Sequence, residues 1–333
     1  MNKQTCKIKK LLENKLPFYY DLPAPLVVTL LKYSENYTWL ITDGNGNKTV
    51  LRVCRPSYHT KDELRSQLIW IHQLNIDTDI PMADVITTKN GSFFTYVEQY
   101  ICIMFSFLNG HTVYNLSGIS LCHAMESIGE IAAKLHLHVQ HWQASRTLTC
   151  FTWNFEDFFG STARWGDWSL LAALSVEQRG YCRQAIWLIK KKLEKYGKTP
   201  DRYGLIHSDL NIYNILIQED TVYLIDFDDC GYGWYLLDLA MSLLTYDAKS
   251  IATVLLPAWL RGYKKFHSFS DEDLDMIPTF IVLRKIVRFG WIATHTGNDT
   301  TKKISTDDYI RNVMPIIKTY IKTKGTTFYE PVI

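Results

Sequence analysis

One segment concentrates the groups that could do chemistry. It reads 206-IHSDLNIYNILIQEDTVYLIDFDD-229 and sets His207, Asp209, Asn214, Asp226 and Asp228 between runs of Ile, Leu, Val and Tyr. Polar groups between buried strands are costly unless hydrogen-bonded, paired or bound to metal. Residues 204–206 read as a short strand, 207–214 as a loop, 215–217 as a strand, 218–220 as a turn and 222–225 as the returning strand. Alternate residues of a strand face the same way. Asp226 and Asp228 are therefore expected on one side, and the hairpin carries them back toward Asp209 and Asn214. Converging carboxylates joined by an amide make a hard-oxygen site suited to Mg²⁺, and a divalent cation answers their mutual repulsion.

The reaction that needs this set is phosphoryl transfer. A carboxylate orients an attacking hydroxyl and takes its proton, while an Asn and a second Asp hold the cation on nucleotide phosphates. Here H-S-D-x-x-x-x-N is followed twelve residues later by D-F-D, the order in which protein kinases place HRDxxxxN and DFG. A lone HxD or DFD matches by chance, and the plain alternative is a tight hairpin with Asx turns and aspartates at its rim. The whole ordered set between two apolar strands is far more selective.

The elements that must position these residues can be read from pattern. Residues 6–16 form a short helix that Pro17 is expected to end. Segments 37–43 and 48–54 flank GNGN as a β-hairpin. Thr60 with Glu63 makes a capping box for a helix whose apolar stripe is Leu64, Leu68, Ile71 and Leu74. A second hairpin is expected over 85–99, turning at Asn90-Gly91, before a strand from residue 101 to 108. Beyond Ser120 the chain turns helical: 121–140, 175–197 with Ser175 as cap, 236–246, 249–266, 272–295 and 307–322. The fold class is α+β and bilobal: a β-rich N-lobe over 1–103, a linker over 104–110 and a helical C-lobe over 111–333. Clefts between lobes are common ligand sites.

The rest of the composition narrows function by exclusion. The chain has 333 residues, 47% of them hydrophobic, and a formal charge of +2. It can bury a large core, and no basic stripe points to nucleic acid. Its apolar runs are too short to span a bilayer, and its basic start lacks the apolar stretch of a secretory signal. Seven scattered cysteines without CxxC suit free thiols in a reducing cytoplasm. Subunit number is left open.

With these motifs in place, the chain resembles the aminoglycoside phosphotransferase and choline kinase family, which has the protein-kinase-like fold. The resemblance runs from about Ser34 to Trp291 through 33-YSENYTWLI, 50-VLRVCRPSYHTKDELRSQLIWI, 104-MFSFLNGH, 128-IGEIAAKLHLH, 205-LIHSDLNIYNILI and 222-VYLIDFDDCGYGWYLLDLA. Its IDFDD and the late Gly290-Trp291 are nearest to bacterial homoserine-kinase-like and stress-response kinases. The resemblance implies an ATP- and Mg²⁺-dependent kinase with a small-molecule hydroxyl acceptor. It implies Asp209 as catalytic base; Asn214, Asp226 and Asp228 as metal ligands; and His207 and Asp238 as braces of the catalytic loop. Nucleotide contacts would come from Arg52, Asn36 and the linker residues Met104, Phe105, Ser106 and Phe107. The departures are Arg52 for the usual Lys, Gln67 where a helix acid is expected with Glu63 one turn earlier, SENY in place of GxGxxG, and Ser208 for the usual Gly. A protein Ser/Thr kinase and a nucleotide-binding pseudokinase are the other readings. The short passage from Asp228 to 236-LLDLA leaves little room for a peptide-binding loop.

Substrate signals are thinner. Trp153, Trp165 and Trp168 with Glu156, Asp157 and Asp167 make either an amine-binding wall or a packed insert. The run 270-SDEDLD is either an acidic loop for cations or a Ser cap with first-turn acids. Arg284, Lys285 and Arg288 on one helical side either contact an anionic substrate or face water. His136, His138 and His141 are expected as exposed or half-buried helix residues rather than a metal site.

Overall fold

The computed structural model describes residues 3–113, 116–295 and 304–331. The chain divides into two compact units that part between Asn109 and Gly110.

The first unit is an antiparallel sheet with two helices. It comprises α1 (Lys3–Tyr19), β1 (Val27–Tyr33), β2 (Tyr37–Thr42), β3 (Lys48–Val53), α2 (Lys61–Asp77), β4 (Val85–Ile86), β5 (Thr95–Val97) and β6 (Tyr100–Ser106). The strand order is β1-β2-β3-β6-β4, with β5 also on β6. The tight β2–β3 turn has a clear local cause. Asp43 accepts from Asn45 N and Asn47 N, both at 2.9 Å, and Gly46 takes φ +86°. Ile8, Leu12 and Leu16 lie four apart on α1 and bury against Val28, Trp39, Ile41, Leu51 and Met104. The expected box is present on α2, with Thr60 and Glu63 satisfying each other's backbone N–H groups.

Two expectations need correction here. Pro17 does not end α1, which runs on to Tyr19. Pro17 costs the helix a single N–H, and Tyr20 N still donates to Leu16 O at 3.0 Å. The segment 85–99 does turn at Asn90-Gly91, where Thr88 N donates to Ser92 O and Gly91 N to Thr88 O. Its arms, however, pair with β6 rather than with each other: Val85 lies opposite Phe105, and Thr95 opposite Cys102.

The second unit is mainly helical. It holds β7 (His111–Thr112), α3 (Gly118–His141), β8 (Phe151–Thr152), α4 (Phe155–Phe159), α5 (Val176–Tyr196), β9 (Tyr203–Ile206), β10 (Ile215–Gln218), β11 (Thr221–Leu224) and β12 (Gly231–Trp234). Then come α6 (Leu236–Ser242), α7 (Ala248–Ser250), a π-helical turn over 251–255, α8 (Leu256–Tyr263), α9 (Asp271–Thr294) and α10 (Thr306–Lys322). Its strands form two small sheets, β11-β10-β7 and β8-β12-β9.

Helices α3 and α8 meet backbone to backbone. A Cβ on Gly262 would run into Glu126 O, and one on Gly129 into Trp259 O. Both obstacles are main-chain atoms, so neither can swing aside. We expect Gly262→Ala to destabilise the protein by about 3 kcal/mol despite alanine's better helix propensity. Thermal or denaturant unfolding checks this. The late Gly290 has a similar reason, because a Cβ there would meet Gly166 O and, at 3.0 Å, Trp168 N.

Candidate active site

The loop 207–214 joins β9 to β10 and is fastened from beneath by α6. Asp238, in the first turn of α6, is 0% exposed. Its Oδ1 accepts from Ser208 N at 2.7 Å and its Oδ2 from His207 N at 3.2 Å. His136 on α3, also 0% exposed, donates through Nε2 to Asp238 Oδ2 at 3.0 Å, and its Nδ1 shares a 2.9 Å hydrogen bond with the Tyr263 hydroxyl. Ser242, one turn after Asp238, donates to Leu210 O at 2.9 Å. The loop is thus held by a buried relay running from α8 through α3 and α6. The expectation of an exposed or half-buried His136 was wrong. The signal was in the periodicity: Ala132, Leu135, His136 and Val139 share the buried face of α3. His138 is also buried, while His141 is exposed and bonds Leu137 O.

His207 is buried and braces the loop from inside. Its Nδ1 accepts from Asp209 N at 3.2 Å, so the proton sits on Nε2, which donates to Ile225 O at 3.2 Å. Burial holds this imidazole below its usual range, against the opposing pull of the Asp238 and Asp226 charges. Ser208 takes φ +66°, a left-handed backbone in which a Cβ costs about 1–2 kcal/mol. A glycine at this position would avoid that cost.

The carboxylate of Asp209 is gripped by two amides. Asn214 Nδ2 donates to Asp209 Oδ2 at 2.6 Å and to Asp209 O at 3.0 Å, and Asn211 Nδ2 donates to Asp209 Oδ1 at 2.7 Å. Each oxygen of the Asp209 carboxylate thus accepts from a side-chain amide. Asn211 was missed from the sequence. Its place two residues after Asp209 in an Asx-prone loop was the available sign.

The other half of the set comes from the end of β11. Ile225 N donates to Asn214 O at 3.0 Å, tying the segment to the loop. The expected alternation of Asp226 and Asp228 does not hold. Regular strand ends at Leu224, and Asp226 takes φ +65°. Asp226 is consequently exposed, while Asp228 is buried. Left-handed non-glycine residues cluster where function over-determines the backbone. Phe227 packs its ring 4.6 Å from that of His207. Among the described residues no three His, Cys, Asp or Glu side chains gather as a metal site. Mg²⁺ in phosphoryl-transfer sites is held by one or two carboxylates plus phosphates and water. The Asn214 amide fits too, since it spends its nitrogen on Asp209 and keeps its oxygen outside those bonds.

In the first unit Arg52 is 6% exposed, which removes the outward-facing alternative. Its Nη2 donates to Gln67 Oε1 at 3.2 Å. The strand-to-helix tether is therefore Arg-Gln, while Glu63 serves as the capping acid. Asn36 accepts from Arg55 N at 2.8 Å, and Arg55 also pairs with Glu35, so the SENY turn is pinned to the end of β3. Met104, Phe105 and Ser106 lie within β6, and Phe107 follows it. Met104 is fully buried in the sheet core, on a strand paired with both β3 and β4.

The acids and Trp153 of the two ambiguous segments resolve toward packing and capping. Trp153 is 0% exposed and stacks on Trp165 at 4.2 Å. Asn154 and Asp157 form a capping box on α4, and Asp167 caps a 3₁₀ turn over Trp168–Leu170. Ser270 and Asp273 form a capping box on α9. The three α9 cations part company. Lys285 is buried and donates to Leu244 O and Tyr246 O at 3.0 and 2.7 Å, and burial pushes its amine down to about 7. Arg284 is buried as well, so neither faces water, and Arg288 is half-buried.

Comparison with known proteins identifies the family and the fold. The profile of the phosphotransferase enzyme family matches residues 28–273. The chain is 29% identical to amicoumacin kinase of Bacillus subtilis (strain 168) over 111 residues, which is 31% of this chain and 33% of that protein. The structure of the microcompartment-associated aminopropanol kinase superposes with a TM-score of 0.85 at 28% identity, covering 98% of this chain and all of that one. Amicoumacin kinase in complex with AMP-PNP, Ca²⁺ and Ami superposes at 0.73, with 20% identity over 98% of this chain and 97% of the other. Among the described residues no helix is long and apolar enough to cross a membrane. The chain belongs to the phosphotransferase enzyme family and is a phosphotransferase built on the protein-kinase-like fold.

Proposed function

We propose that the chain transfers the γ-phosphoryl group of ATP to a hydroxyl of a small molecule, with Asp209 as the base. The observation that carries this reading is the grip of Asn211 and Asn214 on the Asp209 carboxylate, above a loop fixed by the buried Asp238. A carboxylate held this way is pre-set to align an acceptor hydroxyl and take its proton as the bond to phosphorus forms. Asn214, Asp226 and Asp228 would hold Mg²⁺, which neutralises phosphate charge when bound. Arg52 would contact phosphate, and Asn36 and the backbone of residues 104–107 the rest of the nucleotide. Positioning and electrostatics then supply nearly all of the acceleration.

A small acceptor is favoured over a protein by the span after Asp228. Residues 231–234 are committed to β12 between β8 and β9, and α6 starts at Leu236. No length remains there for a peptide-binding segment. The named relatives, an aminopropanol kinase and amicoumacin kinases, point the same way.

The metal assignment has its own test. Asp226→Ala should weaken Mg·ATP binding by about 10–100-fold, while binding of ATP in EDTA stays nearly the same. Titration calorimetry reads both. Equal loss with and without Mg²⁺ would remove Asp226 from the metal's ligands.

A further inference from the structure

Helix α9 carries a buried cation that the phosphoryl-transfer roles do not absorb. Arg284 is 4% exposed. Its guanidinium lies 3.9 Å from the Trp165 ring centroid, and Nη2 donates to Met241 Sδ at 2.7 Å. Nε and Nη1 have no hydrogen-bond partner in the protein. Its neighbour Lys285 shows what a structural cation looks like here, with its ammonium spent on two carbonyls. Arg284 instead sits over an aromatic face, with Nε and Nη1 left over. Among the described residues Arg284 is the one arginine whose terminal Nη1 is buried without a partner, and that calls for an explanation.

Position supplies one. The Met241 contact of Arg284 lies on α6, next to Ser242, which bonds Leu210 O in the loop that carries Asp209, and the charges of Asp209 and Asp229 act on the guanidinium against that of Arg288. An acceptor carrying a negative group would be repelled by the acids gathered there. A stacked, weakly hydrated guanidinium with free N–H groups is the side chain suited to offset that repulsion and to take an oxyanion.

We propose that Arg284 is a specificity-determining residue that binds a carboxylate of the phosphoryl acceptor, so that hydroxy acids such as hydroxy amino acids are preferred over plain amino alcohols. This rests on the reading of Asp209 as the base for a hydroxyl acceptor.

The test uses two pairs of acceptors that differ only by a carboxylate: threonine against 1-aminopropan-2-ol, and homoserine against 3-aminopropan-1-ol. With Mg·ATP, the wild-type protein should show at least a tenfold higher kcat/KM for the carboxylate member of one pair, carried mainly in KM. In Arg284→Met that ratio should fall toward one, and in Arg284→Lys it should lie between. The ratio is taken within one variant, so a general loss of activity or fold cancels. A wild-type ratio near or below one in both pairs would overturn the proposal, as would an unchanged ratio in Arg284→Met. If the wild type phosphorylates none of the four, calorimetry of the same compounds onto protein holding AMP-PNP decides. Binding that requires the carboxylate and is lost in Arg284→Met upholds Arg284 while the phosphorylation reading fails for these acceptors. Absence of such binding overturns the proposal.

Discussion

Asp209→Asn should lower kcat by about a thousandfold, within the range that a positioned general base contributes. The nucleotide should still bind within about threefold of wild type, because Asp209 is assigned to the acceptor and not to phosphate or metal. The geometry also predicts a side effect. The amide introduced by this substitution would turn an N–H toward Asn211 or Asn214, whose own nitrogens now donate to the Asp209 carboxylate. Two facing donors should cost about 1–2 kcal/mol of stability. Turnover, nucleotide affinity by calorimetry and melting temperature together separate these effects. Wild-type turnover in this variant would remove Asp209 as the base, and lost nucleotide binding would reassign it to the phosphates.

The largest effect on stability should come from Asp238→Ala. Its carboxylate is the shared acceptor for His207 N, Ser208 N and His136 Nε2, and it is wholly buried. Truncation leaves three buried donors without an acceptor, at about 3–5 kcal/mol in total. The loop that carries Asp209 loses its footing at the same time, so activity should fall further than the folded fraction explains. His136→Ala should weaken the same unit less, because the two loop amides keep their acceptor. The double variant should cost less than the sum, since both substitutions remove one hydrogen bond in common. Denaturant unfolding of the four proteins reads the coupling directly. Strict additivity would mean that the His136–Asp238 contact contributes nothing.

What could be read from sequence was local. Capping boxes at Thr60, Ser175 and Ser270 lie within four residues and formed as their chemistry dictates. So did the hairpin at Asp43–Asn47 and the HSDxxxxN loop. What escaped was set by partners far along the chain. β4 and β5 turn toward each other locally, yet both found β6. His136 meets an acid 102 residues away. The burial of Arg284 was hidden because α9 is buried on nearly every face from Met276 to Val287, leaving no polar side to mark the exposed residues. The shared side expected of Asp226 and Asp228 failed for a different reason. It assumed a regular strand where the backbone turns left-handed.

The most direct test of the account is to supply the purified protein with Mg²⁺ and γ-labelled ATP and to look for the labelled product. The acceptors should include amino alcohols, hydroxy amino acids, sugars, aminoglycosides and a generic protein substrate, each run beside Asp209→Asn. The account predicts label on the hydroxyl of a small acceptor in the wild type and almost none in the variant. Label on the protein substrate alone, or equal label with Asp209→Asn, would contradict it.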